Sequence, residues 1–262
     1  MERRTIKVGH QEVTLHVSEV SDGYPLLALH GFGLSGEIFS YLEPYLTRAG
    51  YSIYAPDLPG LSAQQTTPVL EGGLQAYARW IRAMLQTLGF NRVLLLGHSL
   101  GGRIALAAGM DYPEYFCGMV LLNPGGFYLG EKVLLFLSLE PVLWTLQLPG
   151  IRTLVRQTPL HQFVATPSRR DAVRRYRKGH FGLDLFYSGY RSRLKTLQLP
   201  VLLLWGAEDN LLPRQVFHRI QKLLPEVEAR LIPRAGHFPA REQPERTAET
   251  IVSFGRKYCN EP

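Results

Sequence analysis

Leu94-Leu95-Leu96-Gly97-His98-Ser99-Leu100-Gly101-Gly102-Arg103-Ile104-Ala105-Leu106 is the stretch that decides how this chain is read. An apolar run leads into Gly-x-Ser-x-Gly, and an Ala-rich, helix-forming run follows. Such a sequence builds a sharp strand-to-helix turn with the serine at its tip. The turn holds the serine backbone in a strained conformation, so its neighbours must be small, and Gly97 and Gly101 meet that need. The helix that starts after the serine aims free N–H groups and a positive dipole end at any negative charge developing there. Ser99 is therefore the candidate nucleophile.

Outward from this turn, strand-like and helix-like segments alternate. Leu26 to Leu29, Ile53 to Ala55, Val93 to Leu96, Met119 to Leu122 and Val201 to Trp205 are short apolar runs, the pattern of buried parallel strands. Val13 to Val17 alternates as a strand with one exposed face and pairs with Arg4 to Val8 across Gly9-His10. Helical patterns cover Glu37 to Arg48, Leu70 to Leu88, Leu100 to Met110, Arg214 to Leu224 and Glu245 to Tyr258. Pro113, Pro200 and Pro225 stand at joins, where a missing N–H is harmless. This order predicts an α/β fold with a mostly parallel central sheet and helices on both faces. The alternation fails between Gly125 and Leu199. A structureless connection of that length is rare in compact domains, so the segment is expected to be an inserted, mainly helical cap. The expected division is a core of residues 1–124 and 200–262 with a cap of 125–199.

Bulk properties narrow the class. The chain has 262 residues, 45% of them hydrophobic, enough for one sizeable core. Met1 to Val8 carries Glu, Arg and Lys and lacks the apolar core of a secretory signal, which argues against export by the general route. Only Cys117 and Cys259 are present, without metal-ligand spacing, and packed or surface thiols in a reducing, cytoplasmic setting are the expectation. The net charge of +7 is concentrated. Residues 1–150 hold 9 Lys/Arg against 12 Asp/Glu, residues 151–200 hold 11 against 2, and residues 201–262 hold 9 against 8. No nucleic-acid-binding motif or aromatic stacking platform accompanies the basic block, so a nucleic-acid partner is not expected.

With its further motifs the chain resembles the α/β-hydrolase fold superfamily over nearly its whole length. His30-Gly31-Phe32-Gly33 follows the strand Leu26 to Leu29, where that superfamily places its oxyanion loop. The resemblance implies the backbone N–H groups of Phe32 and Leu100 as oxyanion donors, each worth roughly 10²–10³ in turnover, with His30 supporting the loop. Asp57-Leu58-Pro59-Gly60-Leu61-Ser62 resembles the superfamily's DxxGxGxS loop but departs from it, with Ser62 at the second Gly and Gln64 at the Ser. Asp57 is read as a structural hydrogen-bonder. Leu203-Leu204-Trp205-Gly206-Ala207-Glu208-Asp209 ends an apolar strand in Gly-x-x-Asp, which points to Asp209, ahead of neighbouring Glu208, as the triad acid. Gly236-His237-Phe238-Pro239, followed by Gln243-Pro244-Glu245, is similar to the terminal histidine segment, which makes His237 the general base. The order Ser, Asp, His is the one this fold uses.

A serine hydroxyl becomes a good nucleophile when a neutral imidazole takes its proton and a buried carboxylate fixes that imidazole's tautomer. No metal or organic cofactor is needed. From Val133 to Ile151 the cap segment carries a single charge, Glu140; its side chains could pack on the core or line an apolar acyl pocket. Candidate lining residues are His30, His98, Phe127, Leu135, Leu139, Leu143, Trp144 and Phe238. A transmembrane helix is not expected, because Glu140-Pro141 and Pro149-Gly150 break the run. Arg152, Arg156, Arg169, Arg170, Arg174, Arg175, Arg177, Lys178, Arg191, Arg193 and Lys195 fill the second half; they are solvated surface, or they draw an anionic membrane surface or a substrate carboxylate. The leading expectation is a serine carboxylesterase or lipase-like enzyme acting on a small-molecule ester with an apolar acyl group. Two alternatives stand beside it. The same fold serves C–C bond hydrolases and the lyase of menaquinone synthesis, whose SxGGR Ser99 to Arg103 resembles, and it also serves non-enzymatic receptors.

Overall fold

The computed structural model describes residues 1–62, 64, 67–126 and 190–259. Most of the expected cap falls outside them, and with it Phe127, Leu135, Leu139, Leu143, Trp144 and most of the basic block. The hairpin at the start forms as the alternation predicts: β1 (Glu2–Val8) pairs antiparallel with β2 (Gln11–Ser18), Val8 facing Gln11. The apolar runs then become β3 (Tyr24–Leu29), β4 (Tyr51–Pro56), β5 (Val93–His98), β6 (Phe116–Leu122) and β7 (Val201–Gly206), with β8 (Val227–Ile232) after them. They lie in one eight-stranded sheet in the order β1-β2-β4-β3-β5-β6-β7-β8. From β4 to β8 every pairing is parallel.

Strands this apolar need cover on both faces, and alternate residues supply two cores. Leu27, Leu29 and Leu95 point to one face, where α2 (Gly73–Thr87), α3 (Leu100–Asp111) and α4 (Arg214–Leu223) bury Tyr77, Ile81, Ile104, Val216 and Ile220. Leu26, Ala28, Leu94 and Leu96 point to the other, under α1 (Glu43–Arg48) and α5 (Pro244–Tyr258), which bury Leu46, Ile251 and Phe254. Leu194, Leu197 and Leu199, at the end of the segment assigned to the cap, pack into the first of these cores.

Three expectations change in detail. The helix expected over Glu37 to Arg48 is a 3-10 turn, Gly36–Tyr41, followed by α1. Pro44 lacks an N–H and its ring would collide with the carbonyl four residues back, so a continuous helix cannot run through it. Similarly, α2 starts later than Leu70 because Gly72 sits at φ 100°, outside helical geometry. Finally, the second face of β2 is only partly open to solvent: Glu12 is exposed and Thr14 and Ser18 are half-buried, but His16 is buried and lies against Asp57.

The cysteines overturn the free-thiol expectation. Cys117 near the start of β6 and Cys259 just past α5 are joined by a disulfide, their Cα atoms 5.1 Å apart across 142 residues of chain. The helix α5 packs along the sheet and brings its end back to β6. The bridge also removes the ground on which the cysteine count suggested a reducing compartment. Closing so long a loop constrains the unfolded chain strongly. Cys259→Ser is therefore expected to lower stability by about 2–5 kcal/mol under non-reducing conditions, and dithiothreitol should bring the parent down to the same unfolding midpoint. Equal midpoints for parent and variant without reductant would show that the bridge contributes nothing. No helix among the described residues is long and apolar enough to cross a membrane.

Candidate active site

Ser99 stands at the junction of β5 and α3 with φ 52° and ψ −116°, a conformation that L-residues avoid and that costs on the order of 1–3 kcal/mol. The surrounding backbone holds it there. Its N–H donates to the Leu122 carbonyl at 2.9 Å, and its own carbonyl accepts the N–H groups of Gly102 at 3.1 Å and Gly125 at 3.0 Å. The flanking glycines are required sterically: a Cβ on Gly97 would run into the Gly101 and Gly102 backbone, and one on Gly101 would meet the Leu29 carbonyl.

His237 Nε2 lies 3.1 Å from Ser99 Oγ, and its Nδ1 lies 2.8 Å from Asp209 Oδ2. A carboxylate only accepts, so Nδ1 carries the proton and the Nε2 lone pair faces the serine hydroxyl. Both side chains are shielded: His237 is 8% exposed and Asp209 not at all. Asp209 Oδ1 accepts the N–H groups of Leu211 at 2.8 Å and Leu212 at 2.9 Å, while Oδ2 also accepts the Asn123 amide at 2.5 Å. Burial by itself would raise the Asp209 pKa. The hydrogen bond from His237, its field, and the Leu212 and Asn123 donors outweigh that and hold the carboxyl below its usual range. Glu208, the neighbouring carboxylate, is exposed.

The loop after β3 comes up against Ser99 from the other side. A Cβ on Gly31 would stand 3.1 Å from Ser99 Cβ, so the Gly31–Phe32 peptide lies beside the serine. Leu100 is the first residue of α3, where an N–H has no preceding helical turn to receive it. The loop is braced from below by three bonds to the Asp57 segment. The His30 Nε2 accepts Leu58 N–H at 2.9 Å, Asp57 Oδ1 accepts Gly36 N–H at 2.8 Å, and Leu61 carbonyl accepts Gly33 N–H at 2.9 Å. His30 Nδ1–H donates to the Gly31 carbonyl at 2.7 Å. Burial lowers the His30 pKa, partly offset by the Asp57 charge, and keeps this imidazole neutral. Asp57 is thus a structural hydrogen-bonder, as the sequence suggested, and the departures at Ser62 and Gln64 do not stop its loop from bracing residues 30–36.

Residues 26–250 match the model of the Alpha/beta hydrolase family. The chain belongs to that family. A 2-hydroxy-6-oxononadienedioate/2-hydroxy-6-oxononatrienedioate hydrolase of Paraburkholderia phymatum is 28% identical over 268 residues, covering 94% of this chain and 92% of that protein. Among solved structures, a bacterial membrane phospholipase A superposes with a TM-score of 0.78 at 23% identity, covering 99% of this chain and 87% of the other. The naproxen esterase of Bacillus subtilis superposes with a TM-score of 0.74 at 21% identity, covering 97% and 90%. At these identities the structures share the fold.

In this alpha/beta hydrolase family member, three segments far apart in the chain bring Ser99, Asp209 and His237 together. Of the candidate lining residues, His30 is wholly buried with both ring nitrogens committed to backbone, so it supports the loop and does not line a pocket. Phe238 is buried, its ring centroid 5.2 Å from His237 and 5.4 Å from His98. Asn123 was not anticipated. It follows β6 at φ 42°, donates to Asp209, and accepts the Gly206 N–H at 3.2 Å, so it fixes Asp209 to the end of β7. The one local signal was Leu121-Leu122-Asn123-Pro124-Gly125, an apolar strand ending in a turn residue that tolerates positive φ.

Proposed function

We propose that the chain is a serine hydrolase that cleaves carboxylic esters, with Ser99 as nucleophile, His237 as general base and acid, and Asp209 as the group that orients His237. The observation that carries this reading is the unbroken relay from Asp209 through His237 to Ser99 Oγ at a strained strand-to-helix turn. Ser99 Oγ attacks the ester carbonyl as its proton passes to His237 Nε2. The carbonyl oxygen becomes an oxyanion, which the N–H groups of Phe32 and Leu100 receive. Collapse expels the alcohol, which takes the proton from His237 and leaves an acyl-Ser99. Water then gives up a proton to the same nitrogen and attacks the acyl carbon, and collapse returns that proton from His237 to Ser99 Oγ, releasing the acid and the free serine. The apolar segment Val133 to Ile151 suggests an apolar acyl group.

The similarity to a hydrolase of oxo-dienedioates favours a second reading, C–C bond hydrolysis of a carboxylate substrate. A series of p-nitrophenyl acyl esters, run beside a 2-hydroxy-6-oxo-dienoate, separates the two. Ester cleavage that improves as the acyl chain lengthens is the expected result. Inert esters together with bleaching of the dienoate would replace the ester reading with the C–C one.

A further inference from the structure

The imidazole of His98 lies between the nucleophile, the general base and the oxyanion loop, and the relay described above does not use it. It is 3% exposed at the end of the all-buried strand β5. Its Nε2 is 2.8 Å from the main-chain carbonyl of His237. A carbonyl only accepts, so this nitrogen carries the proton and Nδ1 carries a lone pair. Among the described residues that Nδ1 has no hydrogen-bond partner. It faces Gly31, where an added Cβ would stand 3.0 Å away. An apolar side chain would fill this site without burying an unpaired nitrogen, so what the imidazole alone supplies is the N–H to His237.

We propose that His98 is a positioning residue which fixes the His237 peptide to the nucleophile turn through its Nε2–H, independently of Asp209. Asp209 steers the ring of His237 from one end. The Glu242 carboxylate holds the Ala235–Gly236 peptide at Gly236 N–H, and His98 holds the His237–Phe238 peptide. His98 and Ser99 are consecutive, so a single peptide unit and a single hydrogen bond tie general base to nucleophile. Neutrality is built in: burial, and then the field of His237, push the His98 pKa down to about 3, so no second positive charge competes when His237 becomes an imidazolium.

The inference rests on Ser99 and His237 forming the reactive pair, and its test reads that assumption separately. Glutamine and methionine are nearly isosteric, and only glutamine can donate to the His237 carbonyl. Displacing a catalytic group by about 1 Å can cost on the order of 10²-fold in rate. His98→Met should therefore lower kcat on p-nitrophenyl acetate by about 10–100-fold with KM changed less than threefold. It should slow fluorophosphonate labelling of Ser99 to the same extent, while His98→Gln retains most of both rates at a comparable unfolding midpoint. Equal rates in parent and His98→Met, or equal losses in both variants, would overturn the proposal. A parent protein that neither turns over esters nor takes the label at Ser99 would overturn the functional reading itself, and the proposal with it.

Discussion

Ser99→Ala is expected to fold as the parent does and to lose roughly 10⁶-fold in ester turnover, the scale seen when a triad serine is removed and only oxyanion donors and binding remain. Alanine keeps a Cβ, so the strain at φ 52° is unchanged. The bonds that hold the turn, from Ser99 N–H to Leu122 and from Gly102 and Gly125 to the Ser99 carbonyl, are main-chain bonds and survive. What disappears is the hydroxyl 3.1 Å from His237 Nε2. The change is read as kcat/KM on a p-nitrophenyl ester, with the unfolding midpoint as the control. A sulfonyl fluoride or phosphonate should add its mass to the Ser99 peptide of the parent and to no other serine. Activity retained in the variant, or a label found elsewhere, would remove Ser99 from the mechanism.

Asp209→Asn is expected to lower kcat by about 10⁴-fold with little change in KM. The carboxylate accepts four hydrogen bonds, from His237, Asn123, Leu211 and Leu212. An amide keeps the size but offers one oxygen. If that oxygen keeps the bonds to Leu211 and Leu212, its NH2 group is left facing His237 Nδ1 and the Asn123 amide, both donors in the parent. His237 then relieves the conflict by moving its proton to Nε2, where it can no longer accept from Ser99. The stabilisation of the imidazolium by a negative charge is lost as well. Asp57→Asn and Glu208→Gln serve as comparisons, because Asp57 braces the Gly36 turn and Glu208 is exposed. Either of them lowering kcat more than Asp209→Asn would move the acid to that position.

Much of the architecture was legible because it is written in local periodicity. Strands buried on both faces must be apolar without interruption, so β3 to β7 stood out as runs before any partner was known. The strand-to-helix turn at Ser99 was equally plain, since its steric demands fall on the immediate neighbours of that serine. Asn123 and the disulfide were not legible in the same way. Asn123 acquires its role only because β6 and β7 are adjacent in the sheet, which brings residues 123, 206 and 209 together.

Local chemistry therefore determined, from sequence, the α/β alternation, the serine at a strand-to-helix turn, and the Gly-x-x-Asp and Gly-His segments that end the later strands. Tertiary structure alone decided that Asn123 holds Asp209, that His98 donates to the peptide following His237, and that Cys117 and Cys259 form a bridge. These are contacts between residues 86 to 142 positions apart. A periodicity of two or of about four residues shows which way a side chain faces within its own element. What it meets there depends on the order of strands in the sheet and the path of the chain between them, and spacing along the chain does not encode either one.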